Sequence, residues 1–175
     1  AYDAAGRASL LQQREFTSLL LRRMLGNESM RRMGSRRAAR DEPLPSWQVW
    51  LTPFGSSAVR QDHGGTAGWA SSGMGILGGM ERRWDAGFTL GLHLALAGRR
   101  TDVNGWHNAR MGTRGAYLGT HALYGPNQWD GFYLTGQARL GLEDNEMRRD
   151  VAFNGYARRN ESRWTGLAGG ALLGA

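Results

Sequence analysis

The residues of this chain that could do chemistry are few, and each can be weighed by what must surround it. Gly73-Met74-Gly75-Ile76-Leu77-Gly78 matches G-x-G-x-x-G, in which glycines let a dinucleotide pyrophosphate approach the N–H groups opening a helix. That chemistry needs a buried strand before the motif and a helix after it. Here Gly-Trp-Ala-Ser-Ser precedes and Gly-Met-Glu-Arg-Arg-Trp follows, so the segment reads as glycine-rich strand wall. His63, His93, His107 and His121 are the only histidines, and no two share the i, i+4 helical spacing that presents paired ligands to a metal. Cysteine is absent, which excludes disulfides and thiolate chemistry. Ser71 and Ser72 lack the Gly-x-Ser-x-Gly elbow of a serine nucleophile. Glu143, Asp144 and Glu146 cluster beside Arg148 and Arg149 and read as solvated loop charge. The expectation is a protein that is not an enzyme and needs no cofactor and no metal.

The strongest pattern concerns position. Between Gly87 and Gly98 apolar and small residues alternate: Phe88, Leu90, Leu92, Leu94 and Leu96 share one face of a strand, and Thr89, Gly91, His93, Ala95 and Ala97 share the other. A soluble strand of this period normally turns a polar, often charged, face to water. A second face this small and weakly polar suits a barrel wall with lipid outside and a wet, crowded lumen inside. The segment near Trp129–Glu143 repeats the alternation: Phe132, Leu134, Ala138, Leu140 and Leu142 oppose Tyr133, Thr135, Gln137 and Arg139. In an earlier segment Met74, Ile76 and Met80 oppose Ser71, Gly73, Gly75, Gly79 and Glu81, with Leu77 out of phase.

These strands must be delivered by the rest of the chain. Glycine supplies 27 of 175 residues, roughly twice ordinary usage, while ten per cent aromatics and seven tryptophans argue against disorder. No apolar run of about twenty residues exists, so no transmembrane helix is expected. Barrel strands escape such windows, because only alternate residues face lipid. All 22 basic residues are arginine, and the net charge of +7 is concentrated in residues 1–40. Within them Leu10, Leu11, Phe16, Leu20, Leu21, Met24 and Leu25 recur at helical steps before Gly26, predicting a helix over 4–25. At roughly 1.5 Å per residue it would run about 33 Å, close to the ~30 Å of a bilayer core. Pro43 and Pro45 end helical character.

After Ser46 the pattern predicts strands near 47–59, 67–83, 86–99, 111–124 and 129–143, with a sixth beginning near 160. The facing of the first and sixth is left open. The connections 61–66, 84–85, 100–110, 125–128 and 144–159 alternate in length, which puts the start of strand one on the periplasmic side, where short turns gather. Trp84, Tyr124 and Trp129 at predicted strand ends suit interfacial girdles.

Helix, short linker, then glycine-rich amphipathic hairpins resembles the translocator domain of autotransporters, Gram-negative outer-membrane proteins that secrete their own passenger. Trp50-Leu-Thr-Pro-Phe54-Gly55, Gly79-Met80-Glu81 followed by Gly91, Tyr117 through Tyr124-Gly125-Pro126, and Gly131-Phe132-Tyr133-Leu134 stand in the family's order, covering about 47–142. The resemblance implies a twelve-stranded barrel threaded by the helix, an outer-membrane location, and type V secretion assisted by the barrel-assembly machinery. Residues 1–46 would supply pore helix and linker, and 47–175 part of an antiparallel transmembrane barrel. Five or six strands without a terminal aromatic suggest a fragment whose partner is the missing C-terminal half of the barrel.

The candidate assignments are therefore Arg7, Arg14, Arg22 and Arg23 on the pore helix and Glu81, His93, Tyr133, Gln137 and Arg139 toward the lumen. Phe88, Leu90, Leu92, Leu94, Leu96, Phe132, Leu134 and Leu140 are assigned toward lipid. Counter-charges for the helix are expected on the missing half. Two other readings compete: a soluble up-and-down barrel binding a small ligand, whose interior would be the apolar side, and a basic interaction module acting through residues 1–40. Phosphate neutralisation needs only cations, but Tyr2 and Phe16 are the only rings before Trp47, so no nucleic-acid partner is expected.

Overall fold

The computed structural model describes residues 10, 13–24, 47–63, 67–84, 87–103, 109–125, 133–153 and 155–175. Six strands, β1 (Trp47–Arg60), β2 (Trp69–Trp84), β3 (Phe88–Val103), β4 (Ala109–Tyr124), β5 (Leu134–Phe153) and β6 (Tyr156–Gly174), form one sheet in sequence order. Every neighbouring pair is antiparallel. The sheet is an open meander, with one edge of β1 and one of β6 unpaired among the described residues. Residues 13–24 form helix α1. No described helix is long and apolar enough to cross a membrane, which says nothing of crossing by strands.

The two-residue alternation governs every strand. On β3, Leu90, Leu92, Leu94 and Leu96 are exposed by 44–56%, whereas Thr89, His93, Ala95, Arg99 and Thr101 are buried. β1 and β6, open at the sequence level, follow suit: Trp50 and Ala168 are buried, while Val49, Leu51, Val59, Leu167 and Leu173 are exposed. Leu77, out of phase with the apolar face of its strand, lies on the buried face at 1% exposed, where it is the one large apolar residue among glycines. α1 lies against this buried face through Phe16, Leu20 and Met24, spaced i, i+4, i+8. Arg14, Ser18 and Arg22 occupy its exposed side.

The strands are longer than the sequence pattern predicted. Residues 144–153 continue β5 and β6 begins at Tyr156, so the expected long loop over 144–159 reduces to a connection at 154–155. Alternation persists there with charged residues outward, and cross-strand contacts Arg163–Glu146 at 3.6 Å, Arg148–Glu161 at 3.4 Å and Arg159–Asp150 at 2.9 Å replace apolar ones. Asn154-Gly155 is the two-residue hairpin signal, and Gly155 has φ +83°, which glycine adopts without steric cost. Likewise β3 runs to Val103 and β4 starts at Ala109, shortening the expected 100–110 loop. The connections 61–68, 85–87, 104–108, 125–133 and 154–155 do not alternate in length, so the loop-length argument for orientation does not hold.

Candidate functional site

Antiparallel register sorts the helix-side residues into rows across the sheet. One row reads Trp50, Gly79, His93, Gly119, Arg139 and Gly170, large and absent side chains in strict turn. The large members lie flat over the adjacent glycines: a β-carbon on Gly79 would stand 2.8 Å from Trp50 Cζ2. One on Gly119 would stand 2.4 Å from His93 Nε2. Glycine is needed here for close approach, and the effect is a wall thin enough to leave room for α1.

Three polar stations tie α1 to this wall. At the first, Arg99 donates to Glu15 Oε2 at 2.9 Å, Ser56 Oγ at 2.8 Å and Ser71 Oγ at 3.1 Å. At the second, Arg139 donates to Thr17 Oγ1 at 3.0 Å and to the side chain and carbonyl of Gln13, its guanidinium 5.1 Å from the Phe16 ring centroid. At the third, Arg23 lies 4.5 Å over the Trp50 ring and 3.8 Å from Glu81 Oε2. Between the stations Phe16 meets Phe54 and Tyr117 edge-on at 5.2 and 5.0 Å.

Glu81, 1% exposed, anchors a buried cluster. It accepts from Arg83 Nη2 at 2.8 Å and lies 3.5 Å from His121 Nε2, while His121 and His93 approach Nδ1 to Nδ1 at 3.2 Å. In such a contact one imidazole donates and the other accepts, the tautomers deciding which. Tyr117 donates to Glu143 Oε1 at 2.7 Å. No group of three His, Cys, Asp or Glu among the described residues could hold a metal ion.

Of the sequence candidates, Glu81, His93, Gln137 and Arg139 come together on the buried, helix-side face, and Tyr133 packs against its apolar cluster. Leu90, Leu92, Leu94, Leu96, Leu134 and Leu140 lie exposed on the opposite face, and Phe88 shares that face, its ring 5.4 Å from that of Trp84. Arg23 reaches the wall; Arg14 and Arg22 are exposed. Arg7 and Phe132 lie outside the described residues. Glu143 corrects the sequence reading: it is 6% exposed on β5 rather than solvated in a loop, because the strand continues through it. Sequence reasoning missed Glu15, Arg99 and His121 as partners; the alternation of β3 extended two residues further would have placed Arg99 in phase with His93. Polar atoms buried on this face, including those of the Gln137 amide and Arg139 Nη1, have no hydrogen-bond partner among the described residues.

The sequence pattern of the family described as "Autotransporter beta-domain" matches residues 49–175. The translocator domain of the autotransporter NalP from Neisseria meningitidis superposes with a TM-score of 0.54 at 17% identity, over 86% of this chain and 51% of that one. The beta domain of the Bordetella autotransporter BrkA gives 0.48 at 20% identity, over 72% and 49%. This chain thus spans about half the length of those solved domains. No curated protein sequence gives a significant match.

Proposed function

The chain belongs to the autotransporter β-domain family, and from that premise we propose that it anchors and exports a passenger across the outer membrane of a Gram-negative cell. Residues 47–175 supply part of the translocator barrel wall, and residues 1–46 supply the helix inside it and the linker. Family membership and the shared fold support a translocator barrel domain. The observation carrying the finer reading is the polarity of the sheet. The leucine face is exposed, while the face bearing glycine, His93, Gln137 and Arg139 is buried under α1. A soluble barrel would reverse this. From Phe88 to Leu96 the exposed stripe runs about 26 Å at ~3.3 Å per residue, of the order of the ~25 Å apolar band of outer-membrane barrels.

Orientation follows from the two ends of that stripe. At one end Trp47, Arg82, Trp84, Phe88 and Tyr124 gather, with Arg82 5.6 and 5.1 Å from the two tryptophan rings. This is the periplasmic girdle. At the other end β5 and β6 continue past the apolar rows with charged outward residues, toward the cell exterior. Met24, near the end of α1, contacts Thr135 at 3.8 Å, one register row from the girdle, so the helix exits where β1 begins and its N-terminal end points outward. The unpaired edges of β1 and β6 cannot stay bare in hydrocarbon; further strands of the same protein complete the wall, assembled by the barrel-assembly machinery. Arg23 spends its charge on Glu81 and Trp50, which favours a helix held in the lumen over one binding nucleic acid.

The test is extraction and display of the intact protein. Release only by detergent, heat-modifiable gel mobility and protease-accessible passenger on whole cells support the reading. Full solubility in buffer, or a passenger retained inside, would overturn it.

A further inference from the structure

The outward face carries an amphipathic junction that α1 and the lumen do not use. A shallow trough of about 850 Å³ crosses the sheet between Met74, Ile76, Leu96, Ala116 and Leu142. At Gly98 and Arg114 it meets a second groove of about 530 Å³, whose sides carry Arg100, Arg110, Arg148 and Glu146. Gly98 and Gly112 leave its floor bare, and a β-carbon at Gly112 would meet nothing within 4 Å.

Register fixes the order along the membrane normal. The row Ile76, Leu96, Ala116, Leu142 is the last apolar one; the next reads Met74, Gly98, Arg114, Asp144, and the next Ser72, Arg100, Gly112, Glu146. Arg114 is thus the first cation beyond the hydrocarbon-facing leucines. Two neighbouring acids are engaged elsewhere: Asp102 by Arg100 at 3.4 Å and Arg110 at 2.8 Å, Glu146 by Arg148 at 2.8 Å and Arg163 at 3.6 Å. Asp144 stands opposite Arg114 in the ladder, yet Arg114 makes no ion pair with any described residue. An exposed guanidinium at that depth matches a phosphate oxygen pair.

We propose that this junction binds a phosphorylated lipid of the leaflet on the β5–β6 hairpin side. An acyl chain lies in the trough over Ala116, and a headgroup phosphate sits at Arg114 with Arg100 and Arg110 beyond it. The inference rests on the membrane-wall reading above. It adds a specific lipid to a wall otherwise solvated by bulk hydrocarbon.

The experiment folds the intact protein into phosphatidylcholine vesicles containing either bisphosphorylated lipid A or its dephosphorylated form, and counts retained lipid by native mass spectrometry. At least tenfold preference for the bisphosphorylated form is expected, lost in Arg114→Gln, largely kept in Arg114→Lys, and unchanged in Arg82→Gln at the opposite girdle. Equal retention of the two lipids by the unsubstituted protein overturns the site even if the variant fails to fold. So does equal loss in Arg82→Gln and Arg114→Gln, or full displacement by millimolar inorganic phosphate. Heat-modifiable mobility is read on every sample. A protein that never inserts overturns the membrane wall and the lipid site together, whereas an inserted protein without preference overturns only the lipid site.

Discussion

A β-carbon placed on Gly115 would stand 2.5 Å from the Tyr117 hydroxyl oxygen and 2.7 Å from its Cζ, and its three nearest neighbours are all atoms of that ring. The ring cannot withdraw, because it is 1% exposed, hydrogen-bonded to Glu143 and packed on Phe16. Gly115→Ala should therefore cost about 1–3 kcal/mol by overpacking. In the Tyr117→Ala background the same change should cost almost nothing. Urea unfolding of the detergent-solubilised protein, run as a double-mutant cycle, measures the coupling; additive effects would show that the ring and the glycine are independent.

The helix ties are unequal. The Arg99 side chain is 2% exposed and that of Glu15 24%, so removing the acid strands a buried cation, while removing the cation leaves an acid that reaches water. Glu15→Ala should loosen α1 by about 1–3 kcal/mol, more than Arg99→Met does. Limited proteolysis of the assembled protein reads this as faster cleavage near residues 13–24. The reverse ranking would mean that Ser56 and Ser71 alone satisfy Arg99.

Leu94 is 53% exposed in the middle of the apolar stripe. In water Leu94→Arg would be near-neutral; at the midplane of a bilayer it should cost about 2–4 kcal/mol. Equilibrium folding into vesicles, compared with Ser57→Arg at an exposed position beyond the stripe, separates the two solvents.

On the proposed membrane placement Trp84 lies in the girdle and Leu94 near the centre of the band. Bromine placed near the headgroup of a vesicle lipid should quench the fluorescence of a variant retaining only Trp84, and bromine near the chain terminus should not. Stronger quenching from the chain terminus would shift the whole band.

The sequence alone determined the sheet. Period-two alternation fixes which residues share a face, because successive side chains on a strand point oppositely. So the alternation alone puts Leu90 through Leu96 on one face and Glu81, His93, Gln137 and Arg139 on the other. It also determined that α1 is amphipathic. It did not fix where strands stop: charge at 144–153 suggested a loop, and only pairing with β6 showed that Glu146 and Asp150 find arginine partners across the ladder. Nor did it fix who meets whom. Glu15 and Arg99, or His93 and His121, are far apart in the chain, and their contact depends on register and on the height of the helix along the wall. Those are set by the whole sheet at once: a strand slipped by one residue would turn every one of these side chains to the other face.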